Sequence, residues 1–150
     1  MKKTLLILVA VVFAVTACEK QTYVDGTYEA KFNEPSHSYT GFLEVTLVND
    51  EITALDFDYM NDTVDLLKSE DEPYAQRMIN AGRETTPDVF IPQIESALRN
   101  TTIVPEFEEI DAVSGATGSS GEANYLMQQV LDLAVDGEPN SIEVGYPVEE

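Results

Sequence analysis

Residues 111 to 120 read DAVSGATGSS. One acid, Asp111, leads four hydroxyls at Ser114, Thr117, Ser119 and Ser120, with Gly115 and Gly118 set among them. The stretch has too little apolar bulk to pack a core. Glycines let the backbone approach a ligand closely. A helical pattern follows, and Ser119-Ser120-Gly121-Glu122 reads as a capping box with Ser119 at the N-cap and Glu122 at N3. Free backbone N–H groups and positive dipole character gather at such a helix start. Together these features predict a cradle for a phosphate group. The run lacks the GxxxxGK[ST] of a P-loop and the GxGxxG of a dinucleotide fold. A Gly- and Ser-rich connection whose serines merely cap a helix would satisfy the same residues.

Several elements must position this stretch. TYEAKF (27–32) alternates Tyr28, Ala30 and Phe32 against Thr27, Glu29 and Lys31 and reads as a strand. FLEVTLV (42–48) and ITALDFDYM (52–60) alternate in the same way, with Leu43, Val45 and Leu47 on one face and Leu55, Phe57 and Tyr59 on another. The loop NEPSHSYTG (33–41) and the turn Asn49-Asp50-Glu51 join them, which predicts an antiparallel meander. A short helix follows Pro73, lined by Tyr74, Met78, Ile79 and Ala81 and ended by Gly82. Phe90, Ile94, Ala97 and Leu98 form a second helical stripe, and Pro92 places that helix's start at Pro92 itself. EFEEIDAV (106–113) reads as a last short strand leading into the hydroxyl-rich run. The final helix spans about Ser120 to Val135, burying Leu126, Val130, Leu133 and Ala134, and Gly137-Glu138-Pro139 stops it. The tail NSIEVGYPVEE reads as an edge strand or an unstructured end. The fold class expected is α+β: a small antiparallel or mixed sheet with helices packed on it.

The chain opens MKKTLLILVAVVFAVTAC, with two lysines, an apolar run from Leu5 to Val15, then Thr16-Ala17 before Cys18. This is the layout of a secretory signal, and V-T-A-C resembles a bacterial lipobox. Cys18 is the only cysteine, so no internal disulfide is available and lipidation accounts for the odd thiol. The spacer EKQTY reaches at most about 18 Å, which holds the folded part close to a membrane. Lys and Arg total 8 against 28 acids; without Lys2 and Lys3 the mature chain keeps six against 28, a net charge of −22. That balance argues against nucleic-acid binding. His37 is the only histidine and lies in a loop, so no transition-metal site is expected, and no CxxC or CxxCH is present.

Asp-Ala-Val-Ser-Gly-Ala-Thr (111–117) resembles the flavinylation sequence of the FMN-binding domain family. That family includes flavin subunits of sodium-pumping NADH:quinone reductases and of the related Rnf complex, and small lipoproteins of extracellular electron transfer. The resemblance spans about residues 24 to 135, with VDGTYEAKF as first strand and LEVTLVNDEITALDF as the next hairpin. It implies covalent FMN, attached by a phosphoester to Thr117. Asp111, Ser114, Gly115 and Ala116 match the recognition positions of a flavin transferase that uses FAD as donor, while Ser119 and Ser120 flank the site. Gly118, where bulkier residues are frequent, and the glycine-free turn 49–51 depart from the family pattern.

The N-terminal residues predict a lipoprotein signal peptide at 1–17 and a lipidated N-terminus and tether at 18–23; the resemblance implies an FMN-binding domain at 24–137 and leaves a C-terminal tail at 138–150. It implies an electron carrier, held on the extracytoplasmic face of the cell membrane by its lipid anchor. The carrier would stand between quinol- or NADH-linked membrane proteins and extracytoplasmic acceptors, with no catalytic residues or metal of its own. A flavin-dependent surface reductase and a non-catalytic binding lipoprotein are the alternatives. Tyr59, Tyr74, Met78 and Phe90 are the candidate ring contacts, though residues of these types more often serve as plain core.

Overall fold

The alternating segments do form strands in the computed structural model, which describes residues 21–147. The signal segment 1–17, Cys18 and the first part of the tether lie outside the described residues. Three long strands, β1 (Gly26–Phe32), β2 (Thr40–Val48) and β3 (Glu51–Asn61), make the antiparallel meander. β4 (Leu66–Leu67) extends it beside β3, and β5 (Ser141–Val144) pairs with β1 in parallel, so the sheet is mixed with order β4-β3-β2-β1-β5. The helices α1 (Glu72–Asn80), α2 (Pro87–Arg99) and α3 (Thr117–Asp136) follow β4. α3 packs on β1, β2 and β5, and α2 on β3. The fold is α+β. No described helix is long and apolar enough to cross a membrane.

The core lies between the sheet and α2 and α3. Tyr28, Ala30, Phe32, Leu43, Val45, Leu47, Leu55, Phe57 and Tyr59 supply the sheet side and are all buried. Ala123, Leu126, Met127, Val130, Leu131 and Ala134 face them from α3. Each large side chain fully buried in this layer contributes about 1.5–3 kcal/mol. The register between β2 and β3 shifts at Thr46/Leu47, so the alternation slips by one residue and both Ile52 and Leu55 turn towards the core.

The hairpin between β2 and β3 needs no glycine because Asn49 (φ 52°) and Asp50 (φ 61°) themselves adopt the left-handed conformation. This turn also holds the N-terminal segment. Asp50 carboxylate oxygens accept the Thr22 N–H at 2.9 and 3.0 Å and the Tyr23 N–H at 2.7 Å. Tyr23 is buried, and its hydroxyl donates to the Ile103 carbonyl at 2.8 Å. The expected tether 18–23 therefore gives up Thr22 and Tyr23 to the folded unit.

Two other expectations change, and one open alternative is decided. α2 starts at Pro87 and runs through Pro92. The carbonyl that Pro92 leaves without its helical donor belongs to exposed Asp88 and is not sealed in the core, while Phe90, Ile91, Ile94 and Leu98 need both turns to reach the core. Ile79 on α1 is 54% exposed; only Tyr74 and Met78 of that helix pack against the core. The tail is a strand over 141–144, since β1 offers an open edge and Val144 is buried beside it.

Candidate functional site

Residues 106–113 do not form the expected strand. The Glu108 N–H donates to the Thr102 carbonyl at 2.9 Å, and at Ile110 a side chain takes the place of a neighbouring strand. The Ile110 N–H donates to Asn124 Oδ1 at 3.0 Å, and Asn124 Nδ2 donates to the Ile110 carbonyl at 3.1 Å. Asn124 is buried on α3, so one amide side chain acts as a one-residue strand partner and ties the incoming loop to the helix.

A tight turn follows. The Ala116 N–H donates to the Val113 carbonyl at 2.9 Å, with Ser114 and Gly115 at the apex. Gly115 has φ +76°, the value a type II turn demands of its third residue. A Cβ there would lie 2.8 Å from Thr85 Cγ2, so the position excludes a side chain twice over. Ser120 Oγ accepts the Val113 N–H at 2.9 Å and donates to the Ala116 carbonyl at 2.9 Å. This buried hydroxyl clamps both ends of the turn to α3.

The helix start differs from the capping-box reading. α3 begins at Thr117, its N-cap is Ala116, and no side chain caps it. Ser119 sits inside the first turn. Glu122 is drawn away by the sheet, accepting the Tyr59 hydroxyl at 2.5 Å. A tertiary partner has replaced the local one that the sequence pattern supplies. The Tyr59 hydroxyl is held well above its ordinary value by burial first and by the Glu122 carboxylate next.

This shift puts Thr117 at the first helical position with its side chain exposed. The N–H groups of Thr117, Gly118 and Ser119 precede the first intrahelical bond, which runs from the Ser120 N–H to the Ala116 carbonyl at 2.9 Å. Ser114 and Asp111 are exposed, Asp111 two residues ahead of the turn, and Ala116 is buried. The motif thus divides: Gly115, Ala116 and Ser120 build the turn, while Thr117 is left free at the helix tip.

Thr117 opens onto a groove of about 780 Å³. Gly118, Gly121, Glu122 and Tyr125 continue its floor along α3, and Tyr146 forms a wall from the segment after β5. The volume falls in the usual range for small-molecule sites, about 300–1,000 Å³. Gly118 and Gly121 face open space, so the helix backbone itself is exposed to the groove. Tyr146 stacks on Phe32 with centroids 3.9 Å apart, and Phe32 lies nearly parallel to Tyr125 at 6.2 Å. The Tyr146 hydroxyl is buried without a hydrogen-bond partner among the described residues. The nearby Ser36 N–H is committed to the Tyr39 carbonyl at 2.8 Å. Burial, then the Glu122 carboxylate, pushes that tyrosine above its ordinary value.

Of the ring contacts considered from sequence, Phe90 is core and Tyr74 and Met78 lie on α1; only Tyr59 approaches the groove, through Glu122. Tyr125 and Tyr146 were missed. Tyr125 is signalled by its position eight residues after Thr117, which places it on the same face of α3. Tyr146 had no signal, because its place depends on β5 pairing with β1. A smaller cavity of about 420 Å³, bordered by Lys31, Phe42 and Met60, lies on the open face of the sheet, away from Thr117.

No protein-family model matches the chain, and no curated protein matches it. Among solved structures, the crystal structure of the CPE2226 protein from Clostridium perfringens is similar, with a TM-score of 0.71 and 26% identity over 83% of this chain and 99% of that one. A solution NMR structure of a protein from Clostridium thermocellum is less similar, with a TM-score of 0.45 and 18% identity over 82% of this chain and 98% of that one.

Proposed function

We propose that the protein is a membrane-anchored extracytoplasmic electron carrier with FMN joined to Thr117 by a phosphoester. The observation that carries this reading is the placement of Thr117: an exposed hydroxyl at the first position of α3, opening onto an aromatic-walled groove. The residues present fit such a group. The free N–H groups at the start of α3 suit a phosphodiester charge. The aromatic walls suit a flat ring. FMN, once bound, supplies one- and two-electron transfer.

The chain's own residues have distinct tasks in this reading. With a flavin transferase as catalyst, the Thr117 oxygen forms a bond to the phosphorus of the FMN half of FAD. The pyrophosphate bond breaks, AMP leaves, and the hydroxyl proton is released. Gly115 and Ser120 hold the turn so that Thr117 projects. Asp111 and Ser114 are exposed where a transferase could read them. Tyr59 fixes Glu122 at the groove's edge. The lipid anchor at Cys18 would keep the carrier beside membrane donors, and covalent attachment would prevent loss of the cofactor outside the cell.

Intact mass tests the proposal. Co-expression with a flavin transferase should raise the mass by one FMN less one water, with the adduct mapped to Thr117. Thr117→Ala should carry no adduct while melting within a few degrees of the parent. An unmodified parent chain, or an adduct that survives Thr117→Ala, would overturn the reading.

A further inference from the structure

The N-terminal strap and Thr117 sit at opposite ends of the fold. Thr22 and Tyr23 donate their N–H groups to Asp50 in the turn between β2 and β3. The Val24 N–H donates to the Ala134 carbonyl at 2.7 Å, and the Val24 carbonyl accepts the Tyr28 hydroxyl at 2.8 Å. Val24 also lies against Gly137, where an added Cβ would stand 3.0 Å from Val24 Cγ1. With the buried Tyr23 ring, these contacts fix the strap to the end of α3 and the start of β3.

Two independent rods lead from there to the hydroxyl-rich motif. α3 covers about 25 Å between Ala134 and Thr117. β3 covers about 27 Å between Glu51 and Tyr59, whose hydroxyl meets Glu122 in the second turn of α3. The chain ahead of the strap is short: from Cys18 to Thr22 it reaches at most about 14 Å. Beyond the signal segment the chain holds six Lys and Arg against 28 acids. An anionic bilayer repels a body of that charge. Standing on the strap end leaves most of those carboxylates beyond the roughly 8 Å over which salt screens them from the surface.

We propose that the strap orients the tethered domain, its own end towards the bilayer and Thr117 at the outer end. The partner met at Thr117 is then one that arrives through water, and not a quinol dissolved among the lipid tails. A membrane-bound donor must project a domain of its own to that height, about 25 Å above the strap. The orientation rests on the lipid anchor at Cys18, and its use rests on the flavin at Thr117.

The test needs neither natural lipidation nor flavin. All described elements lie after residue 20, so the chain from Cys18 to Glu150 holds the fold. Cys18 is its only thiol and is coupled to a maleimide phospholipid in nanodiscs of phosphatidylcholine and phosphatidylglycerol. Some headgroups carry chelated gadolinium, with lutetium as the diamagnetic control, and backbone amides are followed by NMR. Gadolinium broadening falls steeply with distance. The amides of Asp50, Glu51 and Gly137 should lose most of their intensity, and those of Thr117, Gly118 and Gly121 should keep most of theirs. Outer amides that lose as much as Asp50 and Gly137 would overturn the proposal. With about eight Gly and Ser residues inserted between Lys20 and Gln21, the strap-end amides should regain intensity as slack lets the domain leave the surface. Strap-end amides that stay broadened in this variant would assign the orientation to direct adhesion to lipid and overturn the proposal. Intact mass of the protein taken from bacterial membranes separates the readings beneath it. A missing lipid on Cys18 would sink the anchor reading alone, and a missing adduct on Thr117 the flavin reading alone.

Discussion

Gly115→Ala should disable the turn that presents Thr117, and two separable costs make it a sharp test. The first is conformational. Gly115 has φ +76°, and an L side chain there costs about 1–2 kcal/mol. The second is steric. The new Cβ would stand 2.8 Å from Thr85 Cγ2, and overpacking of this kind costs about 1–3 kcal/mol unless the neighbour yields. The sum is about 2–5 kcal/mol. Thr85→Ser removes the methyl group involved and nothing else. In a double-mutant cycle Thr85→Ser should return the steric part and leave the conformational part of about 1–2 kcal/mol. Urea denaturation measures the four stabilities, and intact mass after co-expression with the transferase measures how well the turn still presents Thr117. The single variant should lose both stability and adduct yield, and the double variant should regain part of each. A Gly115→Ala protein as stable as the parent, or one that Thr85→Ser does not help, would refute this account of the turn.

Two further outcomes follow from the same structure. Ser120→Ala removes a buried hydroxyl that accepts the Val113 N–H and donates to the Ala116 carbonyl, so it should cost about 1–3 kcal/mol in urea denaturation and lower the adduct yield. The pH dependence of stability should contain two carboxylates of opposite sign. Asp71 is held below its ordinary 3.8 by the Tyr39 hydroxyl and then by the Tyr74 N–H, so its contribution is full above that value and is lost as pH falls through the folded one. Asp58 is raised above 3.8 by burial despite bonds from Ser69 and Tyr59, so its contribution is present below 3.8 and is lost as pH rises through the folded value. Urea midpoints from about pH 3 to 6 should lose the acid-side fall in Asp71→Asn and the opposing slope in Asp58→Asn. Unchanged slopes in either variant would remove that residue from the account.

The meander, the α+β class and the burial of Tyr28, Phe32, Leu43, Val45, Leu47, Leu55 and Phe57 were readable from alternation, because strand periodicity is local and a half-buried sheet imposes it residue by residue. α3 was readable for the same reason. Its start was not. Ser119 and Glu122 hold the spacing of a capping box, but the local pattern competes with distant partners that the chain alone does not reveal. Ser120 is taken by Val113 and Glu122 by Tyr59, 63 positions away, and the helix gains a turn that carries Thr117 to its tip. The 106–113 strand failed likewise, since Asn124 satisfies Ile110 where a neighbouring strand was assumed. Asp58 alternates with the core-facing Leu55, Phe57 and Tyr59, yet it is itself 3% exposed because Ser69 folds over it. The sequence by itself determined which hydroxyl stands at the motif's last position and that a glycine stands two residues before it. Only the tertiary structure decided that this hydroxyl opens onto a groove. The wall formed by Tyr146 exists only once β5 pairs with β1, and that pairing joins segments more than a hundred residues apart, beyond the reach of any local pattern.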